Sequence, residues 1–481
     1  MNVLILNPAS GLRKNVVRDV LYGCWCSGKR IGGGTVPPFS LLLVATILNR
    51  DGNDVVFKDL QAEQGSIESI TDLISKAGVV ITSTSTMTFE EDTETLRIIK
   101  KWNPAIKTIV FGSHPTFLPH STLVKHSVDI AIQHEPEHIL IDLMRALHNN
   151  GDWRKIRGIG FRKNGRPVIN PKYPFIKQLD SLPFPDVSFL PKGIDYFNPI
   201  VKRLPYIATA TSRGCPGKCT FCTAPRFDGN ILRFQSASYV LEELDYFLHN
   251  GYREVYFRDD TFFVNKKRDR EIFRGIKDNG FDVSWIGNAR IGMIDRDTME
   301  LAKAAGCHTI KFGLESGDQE ILDRSNKGYK IEQAYDTFKW ALELDISTHA
   351  HCMLGMPGDS EESIKKTISF VHDLDSTTAT FGICTPYPGT PLFDEILKLY
   401  PGIGDGTASN LDKLHVNGLY NEMYTDIKKE KLEYYIRKAY RSFYLRPKKF
   451  SDFIRQMRTM DDLKRISLAG TNVIDYALFG E

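Results

Sequence analysis

The sequence predicts an α/β protein with two strand–helix repeats and a helical C-terminal extension. Short apolar runs alternate with amphipathic segments over residues 1–150 and again over residues 201–400, a pattern typical of parallel sheets covered by helices. Between them, residues 151–200 are rich in proline, which indicates an extended linker. Residues 401–481 predict helices only. A chain of 481 residues has room for two or three such domains.

Residues 1–150 predict a doubly wound, Rossmann-like parallel sheet. Sheets of this kind bind ligands at the carboxyl ends of their strands. The loops expected there, residues 7–10, 83–88 and 112–116, are small and rich in hydroxyl groups, which suits a large polar ligand. No G-x-G-x-x-G follows the first strand, so a dinucleotide site is disfavoured. The predicted strands are 3–6, 54–57, 79–82 and 108–111, and the predicted helices are 41–49, 67–76, 91–102 and 137–147.

The linker contains a predicted hairpin of residues 158–162 and 167–169. Residues 201–400 then contain six strand–helix units, which predict a partial (β/α)6 barrel of the TIM type. The active site of such a barrel lies at the carboxyl ends of its strands. The predicted strands are 206–211, 254–258, 283–289, 309–313, 348–354 and 380–384, and the helices are 237–250, 266–279, 297–305, 331–344 and 361–374.

The C-terminal part, residues 401–481, predicts helices over 428–438, 440–447 and 450–460, where Lys and Arg outnumber Asp and Glu. Three arrangements are open: a lid over the substrate, a surface that meets membrane lipid, or helices packed on the open side of the barrel with solvated charges. The pattern leaves peripheral membrane contact possible and favours the third arrangement.

The overall composition is that of an ordinary globular protein, with 42% hydrophobic residues and 25% charged residues. The net charge of +3 gives no sign of a polyanionic partner, and we expect no nucleic acid. No signal peptide is visible, and the apolar run 39–48 is too short to span a bilayer. Eight cysteines suit a reducing compartment better than a disulfide framework, so we expect a cytoplasmic protein.

Three cysteines lie close together in the loop after the first predicted barrel strand. Cys215, Cys219 and Cys222 form a C-x₃-C-x₂-C array with Phe221 before the last cysteine. Three thiolates can hold one small inorganic centre and leave one of its positions open for a reactant. A zinc site would need a fourth Cys or His at short spacing, and none follows nearby.

This loop resembles the cluster loop of the radical S-adenosylmethionine (radical SAM) superfamily. The resemblance implies that the three cysteines hold a [4Fe–4S] cluster and that SAM fills the open iron. It also implies SAM contacts from the following strand ends, including a G-x-E-S-G match at residues 313–317 and a Gly-Met-Pro-Gly turn at 355–358. The residues so implied are Phe221, Asp259, Asp260, Asn288, Arg290, Glu315, Ser316, Gly355 and Pro357.

Residues 1–150 resemble the cobalamin-binding domain found upstream of many radical SAM barrels. The resemblance is carried by Pro37-Pro38, Asp59, the loops 83–88 and 112–116, and the acidic 135–137 segment. Ser113 and His134 depart from the usual glycines, and the absence of D-x-H-x-x-G implies that no such histidine ligates cobalt. A degenerate domain that binds nothing and serves as a lid is the alternative. The implied cobalamin residues are Asn7, Pro8, Ser83, Thr84, Ser85, Thr86, Gly112, Ser113, His114 and Glu135.

The remaining cysteines are expected to be structural or incidental. Cys24 and Cys26 lie in a glycine-rich loop, and a lid with incidental thiols is favoured over a metal site, because two thiolates are too few for a second cluster. Lys29 and Arg30 in that loop would be able to contact an anionic substrate or a cobalamin phosphate. Cys307, Cys352 and Cys384 are predicted core thiols.

Taken together, the chain resembles the cobalamin-dependent radical SAM enzymes. The resemblance implies methylation of an unactivated carbon in a small-molecule, lipid or tetrapyrrole-like substrate, through a 5′-deoxyadenosyl radical and methylcobalamin. It implies an electron donor such as flavodoxin or ferredoxin. Two alternatives stay open: a radical SAM cyclase that transfers no methyl group, and a non-catalytic cobalamin-binding protein. An RNA methylthiotransferase is disfavoured because three further N-terminal cysteines are missing.

Overall fold

The computed structural model describes residues 1–10, 17–18, 34–194, 196–399, 421–457 and a few residues of the C-terminus (462–463, 466–467, 470–471 and 473). The glycine-rich loop with Cys24, Cys26, Lys29 and Arg30 lies outside the described residues. The described chain contains two sheets covered by helices, so the predicted α/β class is confirmed. A continuous hydrophobic core runs through both of them.

The first sheet has seven strands in the order β2-β1-β3-β4-β5-β6-β7, of which the first five are parallel. The hairpin that the sequence analysis assigns to the linker belongs to this sheet, because β6 pairs antiparallel with β5. The first sheet therefore extends to residue 169. The strands are β1 Asn2–Asn7, β2 Asp54–Asp59, β3 Val79–Ser83, β4 Lys107–Phe111, β5 Ile130–Ile132, β6 Ile159–Lys163 and β7 Arg166–Ile169.

Helices cover both faces of this sheet, and each face has its own set of buried side chains. One predicted loop is helical in the structure, because α5 begins at Ser113 directly after the fourth strand. The predicted helix 67–76 is a 3₁₀ turn, Ile67–Ile70, followed by α3. The helices are α1 Phe39–Arg50, α2 Leu60–Glu63, α3 Thr71–Lys76, α4 Phe89–Trp102, α5 Ser113–Phe117, α6 Pro119–Val124 and α7 Glu137–His148.

The second sheet has six parallel strands in the order β15-β14-β13-β12-β11-β8, which confirms the partial barrel. A short antiparallel ribbon, β9 with β10, lies beside its first strand. The barrel strands are β8 Tyr206–Thr209, β11 Glu254–Phe257, β12 Ser284–Ala289, β13 Cys307–Glu315, β14 Ser347–Leu354 and β15 Thr378–Ile383, and the ribbon strands are β9 Ser212–Arg213 and β10 Arg233–Phe234.

Amphipathic helices follow the barrel strands and pack on one face of the sheet. Trp285 on β12 stacks on Phe273 of the helix Lys266–Asp278, which identifies the helix-covered face. Strand side chains alternate between the two faces, so the neighbouring positions face the barrel lumen. The helices are α8 Ala224–Phe227, α9 Ala237–His249, α10 Lys266–Asp278, α11 Arg296–Ala304, α12 Gln319–Arg324, α13 Ile331–Glu343, α14 Glu361–Asp373 and α15 Pro391–Leu399.

Two C-terminal helices follow, α16 Lys429–Tyr444 and α17 Pro447–Gln456. Helix α16 covers the edge strand β15, where the Tyr444 hydroxyl donates to the Ala379 carbonyl at 2.7 Å and accepts from the Ala379 N–H at 3.0 Å. The described C-terminal helices therefore pack on the open side of the barrel. Among the residues that the structure describes, no helix combines the length and apolarity needed to cross a membrane.

The carboxyl ends of the two sheets meet. His134, which follows β5, lies 2.8 Å through Nδ1 from the carbonyl oxygen of Phe227, five residues after the last cysteine of the loop. Phe117, which ends α5, packs its ring edge-on against the Phe227 ring and against Gly389, which follows β15. The loops that would bind cofactors in each part are therefore on facing edges.

Candidate active site

The cysteine loop is closed by the β9–β10 ribbon. Ser212 pairs with Phe234 and Arg213 pairs with Arg233 across it. The two ends of the loop formed by residues 214–232 are therefore held next to each other. Gly214 starts the loop with a φ of +92°, and a Cβ there would lie 2.8 Å from the Ile231 carbonyl oxygen. Only glycine fits at this position.

Two of the three cysteines of this loop, Cys215 and Cys219, interact with the Arg290 cation. The Arg290 guanidinium donates to Cys219 Sγ at 3.3 Å, and the Gly217 N–H donates to Cys215 Sγ at 3.4 Å. Burial raises the pKa of the Cys215 and Cys222 thiols, and the Asp260 carboxylate adds to this effect. The sequence therefore places three thiols and one stabilising guanidinium together.

This donor set fits an iron–sulfur cluster better than a single ion. Across residues 1–10, 17–18, 34–194, 196–399 and 421–457, no three Cys, His, Asp or Glu side chains lie close enough together to hold one metal ion. A [4Fe–4S] cluster spreads its thiolate ligands over several irons, so the sulfurs need not meet at one point. Three thiols on one loop, with Arg290 beside them, match that requirement and leave one position open.

Asp259 and Asp260 at the end of β11 have different surroundings. The Asp259 carboxylate accepts from the Thr211 hydroxyl at 2.8 Å, from the Thr211 N–H at 3.1 Å and from the Ser212 hydroxyl. It is therefore used to hold the start of the ribbon, a role that the sequence analysis does not give it. Asp260 Oδ2 is buried and has no partner among the described residues, and its contact with the amino group of SAM stays a prediction.

Glu315 forms a buried ion pair that motif reasoning missed. Its Oε1 lies 2.6 Å from Lys327 Nζ, and its φ of +68° is unusual for a residue with a side chain. The Lys327 carbonyl accepts from the Arg290 guanidinium, and Lys327 Nζ lies 6.0 Å from the Phe221 ring centroid. Two cations and one carboxylate thus lie beside the cysteine loop. The sequence carries no local signal for Lys327, because no motif of the resemblance includes it.

The other predicted SAM residues lie at the expected strand ends. Asn288 donates to the Asp259 carbonyl at 2.7 Å, and the Ser316 hydroxyl lies 3.1 Å from the Thr367 hydroxyl. Gly355 has a φ of +76°, which turns the chain after β14 toward Pro357. Between them, the fully buried Met356 belongs to an apolar group that includes Phe221. Their contact with SAM stays a prediction.

The barrel lumen carries a polar group that the sequence analysis did not single out. His349 and His351 alternate on β14 and face the lumen with ring centroids 4.4 Å apart. Lys311 pairs in register with His349 and donates to the Tyr256 hydroxyl at 2.5 Å. Burial and the Lys311 charge lower the pKa of both histidines well below the usual value, so both are neutral. The i, i+2 spacing of the two histidines was the available signal.

The predicted cobalamin loops lie at the carboxyl ends of β1, β3 and β4. Asn7 donates to Asp59 at 2.7 Å, and Arg18 donates to the Pro8 carbonyl at 2.7 Å and to Asp92 at 2.7 Å. A small cavity opens there, lined by Asn7, Val17, Arg18, Val36, Pro38, Ser40, Leu41 and Ser83.

The loops after β3 and β4 are buried and closely packed. Ser83, Thr84, Ser85 and Thr86 are all buried. A Cβ at Gly112, whose φ is +120°, would lie 2.3 Å from the Thr84 carbonyl oxygen, so only glycine allows the two loops to approach.

His114 and Ser113 are buried at the start of α5. The His114 ring stacks on Phe89 at 3.8 Å between centroids, and burial lowers its pKa to about 3. Both ring nitrogens are buried without a partner among the described residues. Two unsatisfied buried nitrogens at this edge fit a polar ligand such as the amide-bearing rim of cobalamin.

Glu135 lies in an ion-pair cluster between the two parts of the chain. Its Oε1 accepts from Arg213 at 2.9 Å and from Arg233 at 2.7 Å, and its Oε2 accepts from the Ile176 N–H at 2.8 Å. Both carboxylate oxygens of Glu135 are therefore used between the domains. Contact of Glu135 with cobalamin stays a prediction.

Two family models match the chain, and each overlaps most strands of one of the two sheets. The model described as the radical SAM superfamily matches residues 209–371. The model described as the B12 binding domain matches residues 32–144.

Curated relatives match most of the chain. An uncharacterized methyltransferase of Pyrococcus horikoshii is 33% identical over 432 residues, which cover 87% of this chain and 90% of the relative. The cytidylyl-2-hydroxyethylphosphonate methyltransferase of Streptomyces wedmorensis is 23% identical and covers 87% of this chain and 85% of its own length. An anaerobic magnesium-protoporphyrin IX monomethyl ester cyclase of Rubrivivax gelatinosus is 27% identical over 76% of this chain and 67% of its own.

Solved structures share the fold. The radical SAM methyltransferase TsrM from Kitasatospora setae, with cobalamin and a [4Fe–4S] cluster bound, superposes with a TM-score of 0.66 at 17% identity over 84% of this chain and 75% of its own. The cobalamin-dependent radical enzyme OxsB, with aqua-cobalamin and SAM bound, gives a TM-score of 0.67 at 15% identity over 100% of this chain and 73% of its own. Given the 33% identical relative matched over nearly its whole length, the chain belongs to the B12-binding radical SAM enzymes, whose cofactors are a [4Fe–4S] cluster, SAM and cobalamin.

Proposed function

We propose that this enzyme transfers a methyl group to an unactivated carbon of a small molecule. The observation that carries the proposal is the meeting of two strand-end edges. The cysteine loop lies on one of them, and the loops around Ser83 and Gly112 lie on the other. The His134–Phe227 contact links the two edges directly. A substrate held between them would be within reach of both cofactors.

The cofactor roles follow from the residues on each edge. Cys215, Cys219 and Cys222 would hold the cluster, and the buried Asp260 carboxylate would accept from the SAM amino group. When bound, the cluster and SAM supply a radical that removes hydrogen, and cobalamin supplies the methyl group. The protein's own task is to orient these groups and to exclude water.

The carboxylate of SAM needs cationic partners at the same edge. Arg290 contacts Cys219 through one nitrogen and the Lys327 carbonyl through another, so it lies between the cluster loop and the Glu315–Lys327 pair. A guanidinium and an ammonium in a largely buried site suit a carboxylate ligand. We therefore add Lys327 to the SAM residues that the resemblance implies.

The lumen favours a substrate with a polar group. Tyr256, Lys311, His349 and Thr380 all carry hydrogen-bonding groups within the barrel. These groups hydrogen-bond one another, so a hydrocarbon that displaced them would leave polar groups buried without partners, whereas a polar group could join the network. A small molecule or an amphiphile whose polar end enters the lumen fits better.

Cyclisation without methyl transfer is the second candidate. The observation in its favour is the similarity to the magnesium-protoporphyrin monomethyl ester cyclases, at 24% and 27% identity over about three quarters of this chain. The same strand-end residues would be needed for methyl transfer and for cyclisation, because both reactions begin with removal of a hydrogen atom. The two candidates differ in whether the substrate gains a carbon.

One experiment separates these candidates. Protein purified without oxygen and reconstituted with iron, sulfide and hydroxocobalamin is incubated with a chemical reductant, host lysate and SAM carrying an isotopic label in its methyl group. A metabolite that gains the label supports methyl transfer, and one that loses hydrogen without gaining label supports cyclisation. Cobalamin retention without any SAM cleavage would indicate a non-catalytic binding protein. Replacing the chemical reductant by flavodoxin or ferredoxin tests the electron donor.

A further inference from the structure

Two arginines lie directly opposite each other on the ribbon that closes the cysteine loop. Arg213 on β9 and Arg233 on β10 are register partners. Their side chains are only 16% and 8% exposed. Like charges directly opposite each other on antiparallel strands are destabilising, and burial weakens the screening that water would supply. The ribbon is therefore electrostatically unfavourable by itself.

The opposite charges come from the B12-binding sheet. Glu137 accepts from Arg213 at 2.6 Å and 3.2 Å, and Glu135 accepts from both arginines at 2.9 Å and 2.7 Å. Each guanidinium is thus paired with at least one carboxylate from this sheet. Both glutamates are buried, and removal of one side of such a buried pair leaves an uncompensated charge.

The same cluster also holds the far end of the cysteine loop and the linker. Arg233 donates to the Asp228 carbonyl at 2.7 Å, just after the last cysteine, and to the Ile176 carbonyl at 2.7 Å. The Ile176 N–H in turn donates to Glu135. The segment after β5 therefore stabilises both the base of the loop and the segment that follows Cys222.

We propose that Glu135 and Glu137 are positioning residues that hold the cysteine loop closed, so that retention of the cluster depends on docking of the B12-binding domain. The inference rests on the assignment of Cys215, Cys219 and Cys222 as cluster ligands. Neither glutamate touches those cysteines. Their effect acts through the arginine ribbon and needs no cobalamin.

The test is the double variant Glu135→Gln/Glu137→Gln, reconstituted with iron and sulfide and given no cobalamin. The rate at which a chelator bleaches the cluster is expected to rise at least tenfold over the unsubstituted protein. The control is Asp51→Asn, which removes a carboxylate from a more exposed ion pair with Arg145 in the same domain. That variant should bleach at the unsubstituted rate.

A second substitution separates this role from general destabilisation. Adding Arg213→Gln to the double variant removes the uncompensated arginine pair, and the bleaching rate should fall back toward the unsubstituted value. If the double variant does not fold, the single variant Glu137→Gln, which leaves Glu135 on both arginines, gives the same measurement with a smaller expected rise.

The outcomes are distinguishable. A protein with unsubstituted glutamates that holds no iron contradicts the ligand assignment. A cluster that forms normally and bleaches at the same rate with and without the glutamates overturns the coupling. A raised rate that Arg213→Gln does not lower would also overturn it, because the loss would then not act through the arginine pair.

Discussion

Asp259 and Asp260 are consecutive residues at the end of β11, but only Asp259 has both carboxylate oxygens hydrogen-bonded within the protein. Asp259 receives donors from Thr211 and Ser212, whereas Asp260 Oδ2 is buried with no partner among the described residues. The pKa of Asp260 is raised well above its usual value, chiefly by burial. Of these two adjacent acids, Asp259 is hydrogen-bonded to the fold, and Asp260 keeps one carboxylate oxygen without such a bond.

Substitution of the two acids should therefore give opposite results. Asp260→Asn is expected to lower SAM affinity about ten- to hundredfold, or about 1–3 kcal/mol, with little loss of stability, because Asp260 Oδ2 has no hydrogen bond among the described residues to lose. Asp259→Asn should lower the free energy of unfolding by about 1–3 kcal/mol. Isothermal titration with SAM and urea unfolding check the two. Equal SAM affinity in Asp260→Asn and the unsubstituted protein would contradict the assignment.

Replacement of Cys215, Cys219 or Cys222 by Ala should each abolish bound iron and SAM cleavage, because thiolates are the iron ligands available on this loop. Iron and sulfide analysis after anaerobic reconstitution checks this. Cys307→Ala is the matched control, since Cys307 is also a buried thiol but lies at the opposite end of a barrel strand.

The variants Cys24→Ala and Cys26→Ala are expected to keep their iron, because those cysteines are predicted to be incidental. Loss of iron from either one would show that the glycine-rich loop supplies ligands.

The cobalamin site should bind about one equivalent of hydroxocobalamin, with no histidine on cobalt. Ser83→Trp should abolish retention through gel filtration while the cluster remains, because Ser83 lines the cavity at the strand ends. Paramagnetic resonance of the reduced cobalt form should show no nitrogen splitting from a histidine.

His114→Phe is the matched variant for this site, since it keeps the stacking on Phe89 and removes both unpartnered nitrogens. It should weaken cobalamin binding and leave the resonance spectrum unchanged. A spectrum that changes in His114→Phe would refute the ligation claim. If the protein retains no cobalamin at all, the alternative of a degenerate N-terminal domain that binds no ligand and serves as a lid would be favoured.

Stability should fall as pH rises because of Glu243. Burial raises the pKa of this carboxyl from 4.5 to about 8. The folded state therefore binds its proton more tightly than the unfolded state. Its contribution is greatest below the unfolded pKa and is lost as pH rises through about 8, with a slope of at most about 1.4 kcal/mol per pH unit.

Glu243→Gln should remove this part of the pH dependence, because the amide can still accept the hydrogen bond from Thr209 and does not ionise. Urea unfolding of both proteins between pH 5 and about 8 checks this. Parallel stability curves for the two would contradict it.

The edge of the barrel should depend on one tyrosine hydroxyl. Tyr444→Phe leaves both backbone groups of Ala379 without the bonds they make to it, and should lower the free energy of unfolding by about 1–3 kcal/mol. Tyr434→Phe is the matched control, because Tyr434 on the same helix is 48% exposed. An equal loss in both variants would show that the edge contact is not what stabilises the barrel.

Much of the fold could be predicted because it follows from local pattern. The strands that carry the candidate site lie within a few residues of their predicted bounds, since buried parallel strands appear as short apolar runs. The sequence predicts the hairpin at residues 158–169 but assigns it to the linker. Its membership of the first sheet depends on pairing with β5, which no local pattern encodes.

The candidate site also has features that local sequence predicts and contacts that depend on tertiary packing. The spacing of Cys215, Cys219 and Cys222 and the polar residues after successive strands are properties of short segments, so the cluster loop, the barrel and the B12-binding sheet could be predicted from local pattern. Only the packing of distant segments decided the charge pairs. Glu135 meets Arg233 across 98 positions of sequence, and Asp259 meets Thr211 across 48. Such partners come together only when whole helices, strands and loops pack against each other. An ion pair needs no particular spacing along the chain, so local sequence does not reveal it.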